Sequence, residues 1–318
     1  METRRLGGTS IEVTPIGLGC MRFAGTGIVE RVYPSLDEQT VRSVVQAALD
    51  GGVTWFDTAE MYGHGGSERA VTSALRALGV APGGVRIATK WAPLFRRAAS
   101  ITKTIDARLA ALQGYPVDLH QIHMPTGGFS SIRAQVEAMA GLCEAGKVNA
   151  VGVSNFSARQ MELAHDVLSA RGIELASNQV QVSLLHRNIE RNGVLRAARR
   201  LGVTLIAFSP LRMGLLTGKF HADPARIRAL PRVRRIMGAY RAAEMRRAEP
   251  VVRTLTAVAK THGVTPAQVA LSWLTTYYDD SVVAIPGASK PHQAAESAAA
   301  MSLKLTDREL NGLAEAAH

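Results

Sequence analysis

The sequence predicts an α/β fold: a (β/α)8 TIM barrel with an N-terminal β-hairpin and a C-terminal helix. Three observations predict it. About eight short apolar runs alternate with helix-length amphipathic stretches along the 318 residues. Serines and glycines punctuate that alternation where helices would begin and end. Polar residues with complementary chemistry sit at or just beyond the ends of the apolar runs, the rim at which a parallel barrel gathers its functional side chains.

The opening segment RRLGGTSIEVT (4–14) reads as two short strands around Gly7-Gly8, a hairpin able to plug the bottom of a barrel. The strand-like runs that follow are PIGLG (15–19), VTWFD (53–57), VRIATK (85–90), VDLHQIH (117–123), AVGVS (150–154), ASNQV (176–180), VTLIAFS (203–209) and SVVAIP (281–286). Helical stretches lie between most pairs, at 35–52, 67–79, 100–114, 130–147, 157–172 and 188–202. Ser35, Ser67 and Ser157 read as N-caps, and Gly51, Gly79, Gly146, Gly172 and Gly202 as helix stops. Residues 303–318 (LKLTDRELNGLAEAAH) read as a closing helix capped by Thr306. No linker rich in Pro, Ser or Gly and no low-complexity tract interrupts the chain, so residues 1–318 are expected to form one domain.

Composition narrows the function classes. With 47% hydrophobic and 20% charged residues, this is an ordinary globular chain with a substantial core. No apolar run approaches the roughly 18 residues of a membrane helix, and METRRLGGTSIEV has no apolar stretch after its basic start. A cytoplasmic protein without a membrane partner is expected. Two cysteines, Cys20 and Cys143, cannot build a disulfide framework, and no His and Cys fall at metal-ligand spacing, so no metal is expected. A net charge of +11 attracts phosphates, but the arginines are dispersed and aromatics make up 5%, too few for a base-stacking platform; nucleic acid is not expected as a partner. The dense basic stretch from Arg212 to Arg247 reads as a loop, either facing an anionic ligand or simply solvated. GLCEAGKV (141–148), GLGCMR (17–22) and the sequon Asn155-Phe156-Ser157 each imitate a motif without its required residue or context.

Four residues carry the chemistry: Asp57 and Tyr62 in FDTAEMYGHGGSE (56–68), Lys90 in IATKWAP (87–93) and His123 in DLHQIHMP (118–125). Free tyrosine has a pKa of about 10, too high for a ready proton donor near neutrality. A buried Lys90 within reach is expected to lower it, with Asp57 holding the ammonium charged against desolvation. Tyr62 then donates a proton to a carbonyl oxygen that His123 helps to orient as hydride arrives. Alone, each residue has an ordinary structural role: a surface charge, a core wedge, a turn cap. Together they form one acid site.

These residues and their spacing resemble the aldo-keto reductase family. So do GVSNF (152–156), Asn178-Gln179, FSPLRMGLLTGKF (208–220) and IPGASKPHQAAES (285–297), in the family's order and over essentially the whole chain. The resemblance implies NADPH-dependent reduction of an aldehyde or ketone. It implies that Ser154, Asn155 and Gln179 contact the nicotinamide carboxamide, and that Ser209, Pro210, Leu211, Gly214, Leu216 and Lys219 lie over the pyrophosphate. Gly287, Ser289, Lys290, Gln293, Glu296 and Ser297 fall at the adenosine end, with Glu296 on the adenine amine and Ser289 and Lys290 facing the ribose 2′-phosphate. Gly19, Cys20 and Met21 fall near both cofactor and substrate.

The chain departs from the family at several points. Val182 stands where a stacking aromatic is expected under the nicotinamide, which predicts a plain apolar contact. Gly287 and Gln293 replace Lys and Arg, leaving Lys290 as the obvious cation for the 2′-phosphate. Ser297 replaces Asn, and Thr126 follows His123-Met124-Pro125 in place of Asp. Trp91, Met124 and Phe23, with Met21, Leu94 and Phe95, are expected to line an apolar substrate rim, and no polar cluster narrows the substrate beyond an aldehyde or ketone of modest size. The sequence carries no signal for an oligomeric state. Two other classes compete: a nicotinamide-binding regulatory subunit with slow turnover, and a barrel lyase using Lys90 as a Schiff-base nucleophile.

Overall fold

The computed structural model describes residues 2–25, 35–236 and 238–317. β1 (Arg4–Arg5) pairs antiparallel with β2 (Glu12–Val13), forming the expected hairpin. Eight parallel strands follow: β3 (Leu18–Gly19), β4 (Trp55–Asp57), β5 (Arg86–Trp91), β6 (Leu119–Ile122), β7 (Ala150–Ser154), β8 (Leu175–Gln181), β9 (Thr204–Phe208) and β10 (Val282–Ile285). Each pairs with the next in chain order, and the bridges Ile16 to Ala284 and Gly19 to Gly287 join the first to the last. The result is a nearly closed barrel of right-handed crossover units.

The ring around it is α1 (Glu38–Asp50), α2 (Gly66–Ala77), α3 (Ala99–Ala111), α4 (Ile132–Glu144), α5 (Ala158–Ser169), α6 (Val194–Leu201), α7 (Ala242–His262), α8 (Pro266–Tyr277), α9 (Pro291–Ala299) and α10 (Asp307–Ala316). Apolar stripes on these helices, among them Val44, Val71, Leu75, Ile101, Met139, Met161 and Trp273, meet the outer face of the sheet in one large core. A second core fills the barrel: Trp55, Leu119, Ile206 and Val283 pack with Leu6, Ile11 and Val13 of the hairpin. The hairpin therefore closes the barrel at the end opposite the polar rim. Trp55 anchors that plug by donating its indole N–H to Thr14 O at 2.9 Å. A side chain at Gly17 would place its Cβ 2.4 Å from the Trp55 ring, so only glycine lets the chain pass.

Several local expectations change. Ser157 and Thr306 cap their helices with full capping boxes, as the sequence suggests. Ser35 does not cap α1: Asp37 does, accepting from Thr40 N at 2.6 Å, which its shorter distance from the first apolar turn favours. Ser67 lies inside the first turn of α2, where its buried hydroxyl donates to Cys20 O at 2.7 Å and accepts from Thr58 Oγ1 at 2.8 Å. The residues from 188 to 202 divide into a short 3-10 turn, Asn188–Glu190, and α6, because Gly193 takes a left-handed conformation between them. The basic stretch is not a plain loop. It forms 3-10 turns at Arg212–Thr217 and Gly238–Tyr240, short helices at Lys219–Ala222, Ala225–Arg228 and Arg232–Ile236, and the start of α7. No helix among the described residues is long and apolar enough to cross a membrane.

Candidate active site

Inward-facing positions recur every second residue along a strand, so the apolar layer of the barrel is followed, one step up, by a polar one. Trp55, Ala88 and Leu119 give way to Asp57, Lys90 and Gln121. These three, with Gln179 of β8, are buried and bonded to one another. Lys90 Nζ pairs with Asp57 Oδ1 and donates to Thr58 O at 2.8 Å. The other carboxylate oxygen, Asp57 Oδ2, accepts from Gln179 Nε2 at 2.8 Å and Gln121 Nε2 at 3.2 Å. One carboxylate oxygen of Asp57 thus holds the Lys90 ammonium while the two glutamine amides fix the other.

Tyr62 sits on the turn between β4 and α2. Its ring lies 5.2 Å from Lys90 Nζ and meets the His123 ring edge-on at a centroid distance of 5.7 Å. His123 follows β6 and donates its backbone N–H to Trp91 O at 2.8 Å, which fixes the imidazole beside Tyr62. Burial, reinforced by the Lys90 charge, lowers the His123 pKa to about 3, so the ring is neutral. Burial opposes the charge of Lys90, but Asp57 and Tyr62 outweigh it and its pKa is raised. For Tyr62 the outcome differs from the sequence expectation: burial raises its pKa, and although Lys90 acts in the lowering direction, the net shift is upward. In the protein alone the phenol keeps its proton. Burial and then Asp57 likewise hold the Cys20 thiol well above its ordinary value.

A cleft of about 760 Å³ runs from these residues along the rim. Its walls include Gly19, Cys20, Met21, Ser154, Asn155, Gln179, Ser209, Pro210, Leu211, Gly214, Lys219, Gly287, Ser289, Lys290, Gln293, Glu296 and Ser297 beside Asp57, Tyr62 and His123. The amide nitrogen of Gln179 is already engaged on Asp57. Asn155 takes φ +61° and donates to His123 O at 3.2 Å and Ser154 Oγ at 3.0 Å. Ser209, Arg212 and Met213 also hold positive φ, a concentration of backbone strain typical of a ligand loop. Tyr240 Oη secures that loop from behind, donating to Met213 O at 2.8 Å.

Six expected residues lie elsewhere. Leu216, Phe23 and Trp91 are buried in the main core, the Trp91 indole donating to Ser100 Oγ at 3.0 Å, and Met124 is half-buried beyond the cleft walls. Leu94 and Phe95, on the loop after β5, are exposed. Val182 is also wholly buried in the core, whereas Phe208 at the end of β9 lines the cleft. Sequence reasoning missed this residue, along with Arg22, Arg226 and Arg234 on the cleft wall and Gln121 behind Asp57. The alternation that places Lys90 inward also places Gln121 inward, two residues before His123. The arginines had no such signal beyond the basic density of their segment.

No group of three or more His, Cys, Asp or Glu able to hold a metal occurs among the described residues. The set of donors suits a dinucleotide phosphate instead. Apart from Asp57, the only carboxylate lining the cleft among the described residues is Glu296, against Lys219, Arg226, Arg234 and Lys290. Burial and then repulsion from Arg234, Arg226 and Lys290 lower the Lys219 pKa, a crowding of cations that a bound polyanion relieves. The N-terminus of α9, begun by Lys290 and Pro291, lies at the same end of the cleft.

A parallel barrel whose C-terminal rim carries this tetrad and cleft defines a nicotinamide-dependent carbonyl oxidoreductase. The chain belongs to the aldo/keto reductase family, whose family model matches residues 15–318. It is 31% identical over 312 residues to the chloroplastic pyridoxal reductase of Arabidopsis thaliana, covering 94% of this chain and 82% of that protein. Among solved structures it is similar to the glycerol dehydrogenase AKR11B4 from Gluconobacter oxydans, with a TM-score of 0.83 at 28% identity over 99% of this chain and 94% of the other. A thermostable aldo-keto reductase solved with the inhibitor epalrestat gives a TM-score of 0.78 at 28% identity, covering 99% and 100% of the two chains.

Proposed function

We propose that the protein reduces a small aldehyde or ketone to its alcohol with NADPH, Tyr62 donating the proton. One observation carries this reading: a fully buried Lys90, ion-paired to Asp57, lies beneath the ring of Tyr62 at the end of a cleft rich in cations. NADPH, when bound, supplies the hydride. Lys90 stabilises the phenolate that proton transfer leaves, Asp57 keeps Lys90 charged, and neutral His123 offers a hydrogen bond to the carbonyl oxygen without competing for the proton. Ser154 and Asn155 orient the carboxamide, and the half-buried Phe208 lends its face to the ring.

The preference for NADPH over NADH rests on charge. Lys290 is joined at the cleft by Lys219, Arg226 and Arg234, so the basic stretch contributes cations that Gly287 and Gln293 do not. A pyridoxal reductase and a glycerol dehydrogenase among its relatives point toward a small carbonyl without choosing between them. The test is saturable consumption of NADPH with benzaldehyde, matched mole for mole by alcohol, alongside titration of both nucleotides by tryptophan fluorescence. NADPH is expected to bind more tightly than NADH. Failure of both to bind at micromolar concentration would overturn the reading.

A further inference from the structure

Outside the barrel, behind the turn that carries Tyr62, lies a set of largely buried ion pairs that the proposed chemistry does not touch. Glu60, two residues before Tyr62, accepts from Ala92 N at 2.8 Å and pairs with Arg96. Arg108 of α3 lies 3.6 Å from Glu60 Oε2 and 3.3 Å from Glu68 Oε2 of α2. Glu68, wholly buried, accepts from Thr89 Oγ1 at 2.5 Å. The backbone completes the arrangement: Glu60 N donates to Lys90 O at 3.1 Å, and Gly65 N donates to Glu60 O at 2.9 Å across the turn.

The targets of these contacts are consecutive. Thr89 is held by Glu68, Lys90 by the Glu60 backbone, Trp91 by the Arg96 guanidinium 5.0 Å from its ring, and Ala92 by the Glu60 carboxylate and by Arg96, whose Nε donates to Ala92 O at 2.9 Å. Lys90 points inward to Asp57 beneath the Tyr62 ring, while the strand that carries it is held from Thr89 to Ala92 through side chains and backbone. Glu60 alone belongs to the Tyr62 turn, and it holds the strand just beyond the Lys90 side chain, through Lys90 O and Ala92 N. Buried ion pairs add little net stability over apolar packing of the same volume, whereas their directional bonds fix geometry. A core that already buries the surrounding helices has no need of four charges for cohesion.

We infer that Glu60, clamped by Arg96 and Arg108, is a positioning residue that holds the Tyr62 turn in register with the strand carrying Lys90. The inference rests on the reading of Tyr62 as proton donor. A displacement on the order of 1 Å at a reacting group costs about a hundredfold in rate.

The test compares wild type, Glu60→Ala and Glu60→Gln in steady-state aldehyde reduction, with NADPH affinity by fluorescence and thermal unfolding measured on the same samples. Glu60→Ala should lose roughly tenfold to a hundredfold in kcat per folded molecule, with KM for the aldehyde and NADPH affinity within about twofold of wild type. Glu60→Gln keeps an acceptor for Ala92 N and should recover most of that loss. Lowered thermal stability with kcat unchanged would overturn the inference, as would a Gln variant no better than Ala. If Glu60→Ala does not fold, Arg96→Met at the half-exposed outer end of the network carries the test: about a tenfold loss in kcat supports it, and unchanged kcat contradicts it. Absence of turnover in the wild type would count against the carbonyl-reductase reading itself.

Discussion

Lys290 stands exposed at the start of α9, where its ammonium and the helix N-terminus face one end of the cleft. If it reads the 2′-phosphate, Lys290→Ala should weaken NADPH by about 1–3 kcal/mol, the value of a charge-assisted contact, and leave NADH nearly unchanged. Fluorescence titration of both nucleotides checks this, and equal loss for both would show that the lysine does not read the phosphate. At this scale the sequence was legible where a side chain's environment follows from its own strand. Asp57 and Lys90 end apolar runs, and alternation alone turns them inward. The links from Gln121 and Gln179 to Asp57 span 64 and 122 positions, and no local pattern carries such contacts. Likewise, the choice between Val182 and Phe208 depends on which of two neighbouring strand ends borders the cleft, which only the closed barrel decides.

The elements show the same division. Strands and amphipathic helices up to α6 follow from period and punctuation, but α7 and α8 do not. Basic residues crowd the start of α7 and Pro250 interrupts its pattern, while α8 is buried on nearly all sides, from Ala267 through Thr275, so it presents no polar stripe to recognise. The β-rich bottom of the barrel is specified more sharply. Because Gly17 passes directly over Trp55, Gly17→Ala should destabilise the fold by about 1–3 kcal/mol through overpacking. Urea unfolding measures it, and an unchanged midpoint would show that the Trp55 plug can yield.

For the whole molecule, we propose that residues 1–318 unfold as one domain, since strands β4 to β10 contribute one face to the helix core and the other to the barrel core that holds the hairpin. A single coincident transition by fluorescence and circular dichroism is expected, and two resolved transitions would contradict it. Its stability should fall as pH drops. Burial and then Arg108 lower the His120 pKa to about 4, and His123 lies at about 3, both below the ordinary imidazole value of 6.5. Between those values the unfolded chain binds protons that the folded chain refuses, so this stability is complete above pH 6.5 and lost on acidification. Glu68 and Asp118, whose carboxyls burial raises, act in the opposite sense at the acid end. His120→Gln should shrink the stability loss between pH 7 and pH 5 by about 2 kcal/mol. An unaltered slope would mean that the ring is protonated in the folded state.

The whole architecture converges on one proton, held by a phenol over a buried ammonium. Tyr62→Phe removes that proton and keeps the ring that packs beside His123. The decisive measurement is the rate of NADPH-dependent aldehyde reduction in wild type and Tyr62→Phe, with NADPH affinity determined on the same preparations. Turnover should fall by roughly a hundredfold or more while NADPH binds as before. Retained turnover in Tyr62→Phe would contradict the account and move the donor elsewhere, with His123 first in line.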